Sequence, residues 1–433
     1  MQFLFRVIIL FLIVFNFRVP MFYNSAFVSI VLCTIYYIYK RGSIPFTCFF
    51  QRYNAVILIG TVVLAFIVVI IAYLHQQEVM NTREKRTWIE FMMLWAMVYA
   101  LPLLVEGKES TAFKELALLI CYAFALQGAI GLAAVIYPPF GDFLISLKPK
   151  GFIETELTFN KFRYYNLSGI LLVELTAAFG VALMAFFWVQ LRSTHPYLNG
   201  WKKYVVFTCI FFGTMFSGRT GFIGLLMGLG GWMFFSFNRI FMFFKRNLSY
   251  TIGFTMLLLI IFFFVFTPKQ RRSFTDEVFP FAFEWYYNYR DYGKFEVASA
   301  EATSKHYYYL HDETLLHGHG IDAFGGHFYL YPHSDAGYTN VLVFGGIPFL
   351  VCLIIYQCLY SVRPMSIALR NNSPNDRIHI LFFILLFIYI FIVEIKAPAV
   401  GYLHIVEVMY LAIGSAYIMQ QYSKQEEQDE LTG

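Results

Sequence analysis

Residues 55–74 read AVILIGTVVLAFIVVIIAYL, and residues 378–395 read IHILFFILLFIYIFIVEI. The first stretch has no acidic or basic side chain over twenty positions; the second has only His379 and Glu394. At about 1.5 Å of rise per residue, each is long enough as a helix to cross a hydrocarbon core of roughly 30 Å. A transmembrane strand would instead show about ten residues of alternating polarity, which neither stretch has. Working outward, similar apolar blocks predict spans at about 3–17, 20–39, 55–74, 88–105, 115–137, 167–190, 203–217, 220–243, 250–267, 338–360, 378–395 and 398–419. The sequence therefore predicts an all-α, polytopic membrane protein of about twelve helices. The weakest division is at Ser217-Gly218-Arg219-Thr220-Gly221, where merging two spans would leave eleven and put the termini on opposite sides.

Composition agrees. Of 433 residues, 59% are hydrophobic, 20% aromatic and 14% charged, with a mean hydropathy of +0.61. A soluble domain carries about 25% charged residues, so this chain has too few to wet a water-exposed surface. The net charge of +5 gives no case for nucleic acid. Cys33, Cys48, Cys121, Cys209, Cys352 and Cys358 avoid the polar loops and show no metal-ligand spacing. Residues 1–19 are read as a retained first span, because no small-residue cleavage site follows them.

Lys and Arg favour short cytoplasmic segments. With both termini inside, the cytoplasmic segments hold sixteen of these residues and the short outside loops six. The bias predicts an N-in, C-in protein, with long outside loops at about 138–166 and 268–337. The outside loop from His75 to Thr87, with Arg83, Lys85 and Arg86, fits this least well. The resulting organisation is a bundle over 1–267, an extracytoplasmic loop over 268–337, three last spans over 338–419 and a cytoplasmic tail over 420–433.

The late loop concentrates polar chemistry: six of the ten histidines, and ten tyrosines between Tyr286 and Tyr338. Aromatic faces flanked by Asp, Glu, Arg and His suit sugars, although a folded cap with interfacial tyrosines has the same composition. Within it run Gly318-His319-Gly320-Ile321-Asp322-Ala323-Phe324, Tyr331-Pro332-His333-Ser334-Asp335, Gly337-Tyr338-Thr339-Asn340-Val341-Leu342 and Gly345-Gly346-Ile347-Pro348-Phe349-Leu350. His333 stands where the polar loop enters a membrane helix. An imidazole there can take a proton near neutral pH, or cap the helix that follows.

This string resembles the C-terminal region of the bacterial O-antigen polymerase and O-antigen ligase superfamily. Ser217-Gly218-Arg219-Thr220-Gly221-Phe222 is similar to that family's Ser-Arg-Ser/Thr-Gly helix start, and Arg163-Tyr164-Tyr165-Asn166-Leu167-Ser168-Gly169 to its Arg-x-x-Gly element. Gly218 interrupts the second element, Ser334 replaces the ligases' usual Asn, and two residues are added after Asp335. The missing Asn points away from a ligase and toward a polymerase. The resemblance implies a GT-C-like membrane enzyme acting on undecaprenyl-diphosphate-linked oligosaccharides. Its expected steps are inverting glycosyl transfer outside the membrane, without a cofactor or metal, and chain-length control by a separate regulator protein.

On that reading His333 is the general base, and Arg219 binds the diphosphate with the planar fork that arginine offers. Arg163 and Arg290 are further diphosphate or acidic-sugar contacts, and Asp335 orients the imidazole. Alternatives stand beside each role: Arg219 can snorkel, Arg290 can pair with Asp291 or Glu284, and Asp335 can cap the helix. His317-Gly318-His319 with His311 and His327 fits no zinc spacing, and its glycines predict a tight turn returning the loop to the membrane. Glu174 and Glu394, inside spans, are expected to be buried. A flippase for the lipid-linked units is the competing class, and it would carry its charges inside the helices rather than in a loop.

Overall fold

The computed structural model describes residues 2–19, 24–75, 82–147, 165–167, 172–192, 196–235, 256, 261–294, 307, 309–321, 334, 336–371, 374–396 and 404–432. Among these there is no strand. In chain order the helices are α1 (Gln2–Phe15), α2 (Ser25–Arg41), α3 (Thr47–Phe50), α4 (Arg52–Leu74), α5 (Thr82–Leu104), α6 (Ala112–Ile136), α7 (Pro138–Ser146), α8 (Leu172–Arg192) and α9 (Lys202–Ser217). There follow α10 (Gly221–Phe235), α11 (Pro268–Ser273), α12 (Phe279–Ala282), α13 (Glu284–Tyr292), α14 (Asp312–His317), α15 (Gly337–Asn371), α16 (Pro374–Lys396) and α17 (His404–Thr432).

Five helical stretches among the described residues are long and apolar enough to cross a bilayer: Arg52–Leu74, Lys85–Leu104, Glu109–Ile136, Gly337–Arg370 and Arg377–Ile395. Three shorter apolar helices lie at Gln2–Phe15, Glu174–Gln190 and Gly221–Phe235. The chain is thus a helical, membrane-embedded protein. The expected span at 250–267 lies largely outside the described residues. The doubtful pair is resolved as two helices: α9 ends at Ser217, the Gly218 N–H closes on Thr214 O at 2.9 Å, and α10 starts at Gly221.

The chain divides into two compact units, one of Met1–Asn16, Phe22–Leu116 and Ala298–Gly433, the other of Phe17–Met21 and Ala117–Val297. In the first unit α5 packs against α1, α2, α4 and α17, and α15 against α4, α16 and α17. One end is tied by charge. Lys40 Nζ and Arg41 Nη2 each reach the Glu106 carboxylate at 3.1 Å, and Arg6 donates to the Glu106 carbonyl at 2.7 Å. These cations come from segments expected to be cytoplasmic. Arg83, counted above in an outside loop, is instead in the first turn of α5 and buried, its guanidinium 4.7 Å from the Phe344 ring centre and 5.5 Å from that of Phe349. A stacked arginine is held by packing and so gives no vote on topology.

The second unit is built on close backbone contacts. A Cβ on Gly224 would fall on the Gly180 backbone, one on Gly228 3.0 Å from Met184 Cα, and one on Gly221 2.8 Å from Thr176 O. The 221/224/228 spacing puts all three on one face of α10, so α8 and α10 approach as small-residue membrane helices do. Gly128 of α6 meets the Cys209 carbonyl of α9 in the same way.

Candidate functional site

Arg219 occupies the turn between α9 and α10, where Gly218 ends one helix before Gly221 starts the next. Beyond it, Phe266, Phe274 and Val278 pack with Met215 and Phe216 of α9 in one apolar cluster that also takes in Phe222 and Phe283. Thr267 and Gln270 form a capping box at the start of α11, and Gln270 Nε2 also donates to the Ile136 carbonyl at the end of α6. These contacts place α13, and its first residue Glu284 pairs with the Arg219 guanidinium; the two side chains are only 21% and 19% exposed. Past Glu284, α13 presents Trp285, Tyr286, Tyr289 and Tyr292 to the surface. On this helix Arg290 forms a bidentate pair with Asp291, at 2.7 and 3.0 Å, and lies 4.7 Å from the Tyr287 ring centre. Arg290 thereby holds the Asp291 carboxyl below its usual range.

Two of the three sequence elements meet in this unit. Tyr165 and Asn166 line, with Ser217 and Gln127, a cavity of about 10 Å³, room for a single water at most. Arg163 itself lies outside the described residues, as do His333, Asp335 and His327.

In the first unit the loop returns to the membrane through a glycine clasp. Gly318, Gly320 and Gly346 have φ of +67°, +66° and +65°, a region L side chains rarely adopt. The His319 and Gly320 N–H groups donate to Val343 O at 2.7 Å and Phe344 O at 2.8 Å. α15 is broken at Gly345-Gly346, where a Cβ on Gly346 would stand 2.8 Å from Leu315 O. The His-Gly-His run is therefore the tight turn its glycines predict. His319 Nε2 lies 2.8 Å from Thr314 Oγ1, and burial, with His75 nearby, holds its imidazole below the ordinary 6.5. Asn340 Nδ2 donates to Ser334 O at 2.6 Å and Ala336 O at 3.1 Å at the start of α15.

Sequence reasoning missed the interior of the first unit. Glu90 of α5, Tyr356 and Tyr360 of α15, Thr61 and Tyr53 of α4, and His404 and Glu407 of α17 are all buried. Tyr356 donates to Glu90 Oε1 at 2.6 Å and lies 2.7 Å from both the Tyr360 and Thr61 hydroxyls. Because its one proton is given to Glu90, the Tyr356 oxygen is the acceptor toward Tyr360. The Tyr53 hydroxyl donates to Tyr360 O at 2.7 Å. Glu174 and Glu394 are buried as expected. The signal for the missed cluster was present: a lone carboxylate at Glu90 within an apolar block, and His404 and Glu407 three apart on one helical face. An entirely apolar groove of about 550 Å³ lies elsewhere in this unit, between α3, α4 and α5, lined by residues such as Phe50, Ile59, Val63 and Trp95.

Compared with known proteins, the chain matches no family model and no curated protein.

Proposed function

We propose that the chain is a polymerase joining undecaprenyl-diphosphate-linked oligosaccharide repeat units into a surface polysaccharide on the outer face of the bacterial inner membrane. The fold it requires is a GT-C-like bundle of twelve spans with both termini cytoplasmic. The observation that carries the reading is Arg219: an arginine four-fifths buried in a turn between two apolar helices, paired with Glu284 at the foot of a helix rich in exposed aromatics. A charge so placed calls for an anion, and a diphosphate arriving beside Tyr and Trp faces can displace the glutamate.

In the proposed reaction an acceptor hydroxyl oxygen attacks the anomeric carbon of the growing glycan, forming the new glycosidic bond. The bond from that carbon to the lipid diphosphate breaks, and the diphosphate leaves with the electron pair. His333, oriented by Asp335, takes the hydroxyl proton, while Arg219, with Arg163 and Arg290, holds the leaving group. No metal takes part in this step. A chain-length regulator is the expected protein partner, and O-antigen ligase is the alternative activity within the same superfamily.

Replacing His333 with Ala should abolish the polymer ladder while leaving single-repeat product on the cell surface. Arg219→Lys should fail to restore polymer, since an ammonium lacks the fork. A wild-type ladder from His333→Ala at normal protein level removes His333 from the mechanism. The second reading, a transporter for the lipid-linked units, is favoured by the buried Glu90, His404 and Glu407. A deletion strain separates the two: loss of a polymerase leaves one repeat at the surface, whereas loss of a flippase leaves none.

A further inference from the structure

Each ligand-capable side chain of Glu90, His404 and Glu407 is buried, and one ligand atom from each lies within 4.8 Å of the others. Glu90 Oε2 and His404 Nδ1 are 3.7 Å apart, within reach of an ion pair but too far for a hydrogen bond, and neither atom has a hydrogen-bond partner. Two ligands of one tetrahedral ion with bonds of about 2.0–2.2 Å stand roughly 3.4 Å apart, close to this spacing. Glu90's other oxygen is fixed by the Tyr356 hydroxyl, so its free oxygen is aimed at the imidazole as an outer-shell partner would aim it. Charge argues the same way, because two carboxylates and one imidazole in an apolar interior need a positive charge for balance. Oxygen ligands alone would suit magnesium or calcium, whereas the imidazole selects a borderline transition ion.

We propose that Glu90, His404 and Glu407 form a binding site for one divalent transition cation of the zinc class, linking α5 to α17 inside the first unit. The site is independent of the glycosyl-transfer reading, which routes no step through a metal. Tyr356 acts as its positioning residue.

The test is a cobalt titration of the full-length chain purified in detergent, with zinc as competitor and binding as the readout, so that polymerase activity plays no part. One equivalent of Co²⁺ should give the visible bands of a four- or five-coordinate ion and be displaced by one equivalent of Zn²⁺. Glu90→Gln and Glu407→Gln should weaken binding by more than the about 10–100-fold that loss of an outer-shell partner produces, and Tyr356→Phe should fall within that range. His404→Cys, which keeps a ligand at the position, should add a sulfur-to-cobalt charge-transfer band. Three results overturn the proposal: no stoichiometric cobalt binding by the wild-type chain, a spectrum unchanged in Glu90→Gln, which assigns the ion to the loop histidines, or a His404→Cys spectrum without the sulfur band.

Discussion

The two units bury their helices by opposite means. In the first, α4, α5 and α15 are joined by a buried chain of hydrogen bonds running from the Glu90 carboxylate through Tyr356 to Tyr360 and Thr61. In the second, α8 and α10 meet where Gly224 lies against Gly180, with no room for a side chain. Lipid tails are as apolar as leucine, so helices in a bilayer associate through close packing or polar contacts. Each unit uses one of these in the regions compared. The difference extends to the charged groups, since Glu90 is sealed whereas Glu284 stands at the edge of an aromatic surface where a ligand can reach it.

The largest break in this comparison should come from Gly224→Val. Two β-methyls cannot enter a backbone contact without separating α8 from α10, and overpacking of this kind costs about 3 kcal/mol or more. Thermal unfolding of the purified chain should show it, and an unchanged melting profile would mean the two helices do not cross there. Next is Tyr356→Phe, which strands Glu90 Oε1 without its donor and should destabilise the chain by about 1–3 kcal/mol. Because the pair is sealed, that loss should hardly vary with salt.

Glu284→Gln, at the half-open pair, should cost less, on the order of 1 kcal/mol after allowance for solvent screening, and its effect should shrink as salt is raised. Arg290→Ala, in an exposed pair, should leave the melting profile nearly unchanged. If Glu284→Gln and Tyr356→Phe responded to salt alike, the contrast between sealed and open sites would be lost. The smallest effect concerns pH. His319 is held neutral by burial and by its neighbour His75, while Glu313 opposes. A lowered folded value means that docking of the glycine clasp is complete above the ordinary 6.5 and weakens as pH falls through the folded value. Exchange of the His319 and Gly320 amides, corrected for intrinsic rate, should therefore speed up at about pH 5 relative to neutral pH.

Much of the fold was legible in the chain itself. The apolar block at 55–74 appears as α4 (Arg52–Leu74) and the block at 378–395 within α16 (Pro374–Lys396), because hydropathy over twenty residues needs no knowledge of neighbours. The clasp at Gly318 and Gly320 was readable too, since glycine marks backbone that other residues avoid. The role of Arg83 was not. Its charge looked like a loop charge, and only the Phe344 and Phe349 rings brought from some 260 positions away make it a buried, stacked group.

The candidate site divides in the same way. Arg219 was visible as a charge interrupting an apolar run, but its partner Glu284 lies 65 residues on and depends on the phenylalanine cluster that docks α11 to α13. What the sequence determined alone is local: which segments are apolar, where helices break, and which residues are too polar to face lipid. The tertiary structure decided which of those polar residues meet, bringing Glu90 to His404 and Glu407 across more than 300 residues. Hydropathy and helix propensity are sums over neighbours in the chain, whereas a buried charge is tolerated only by neighbours in space.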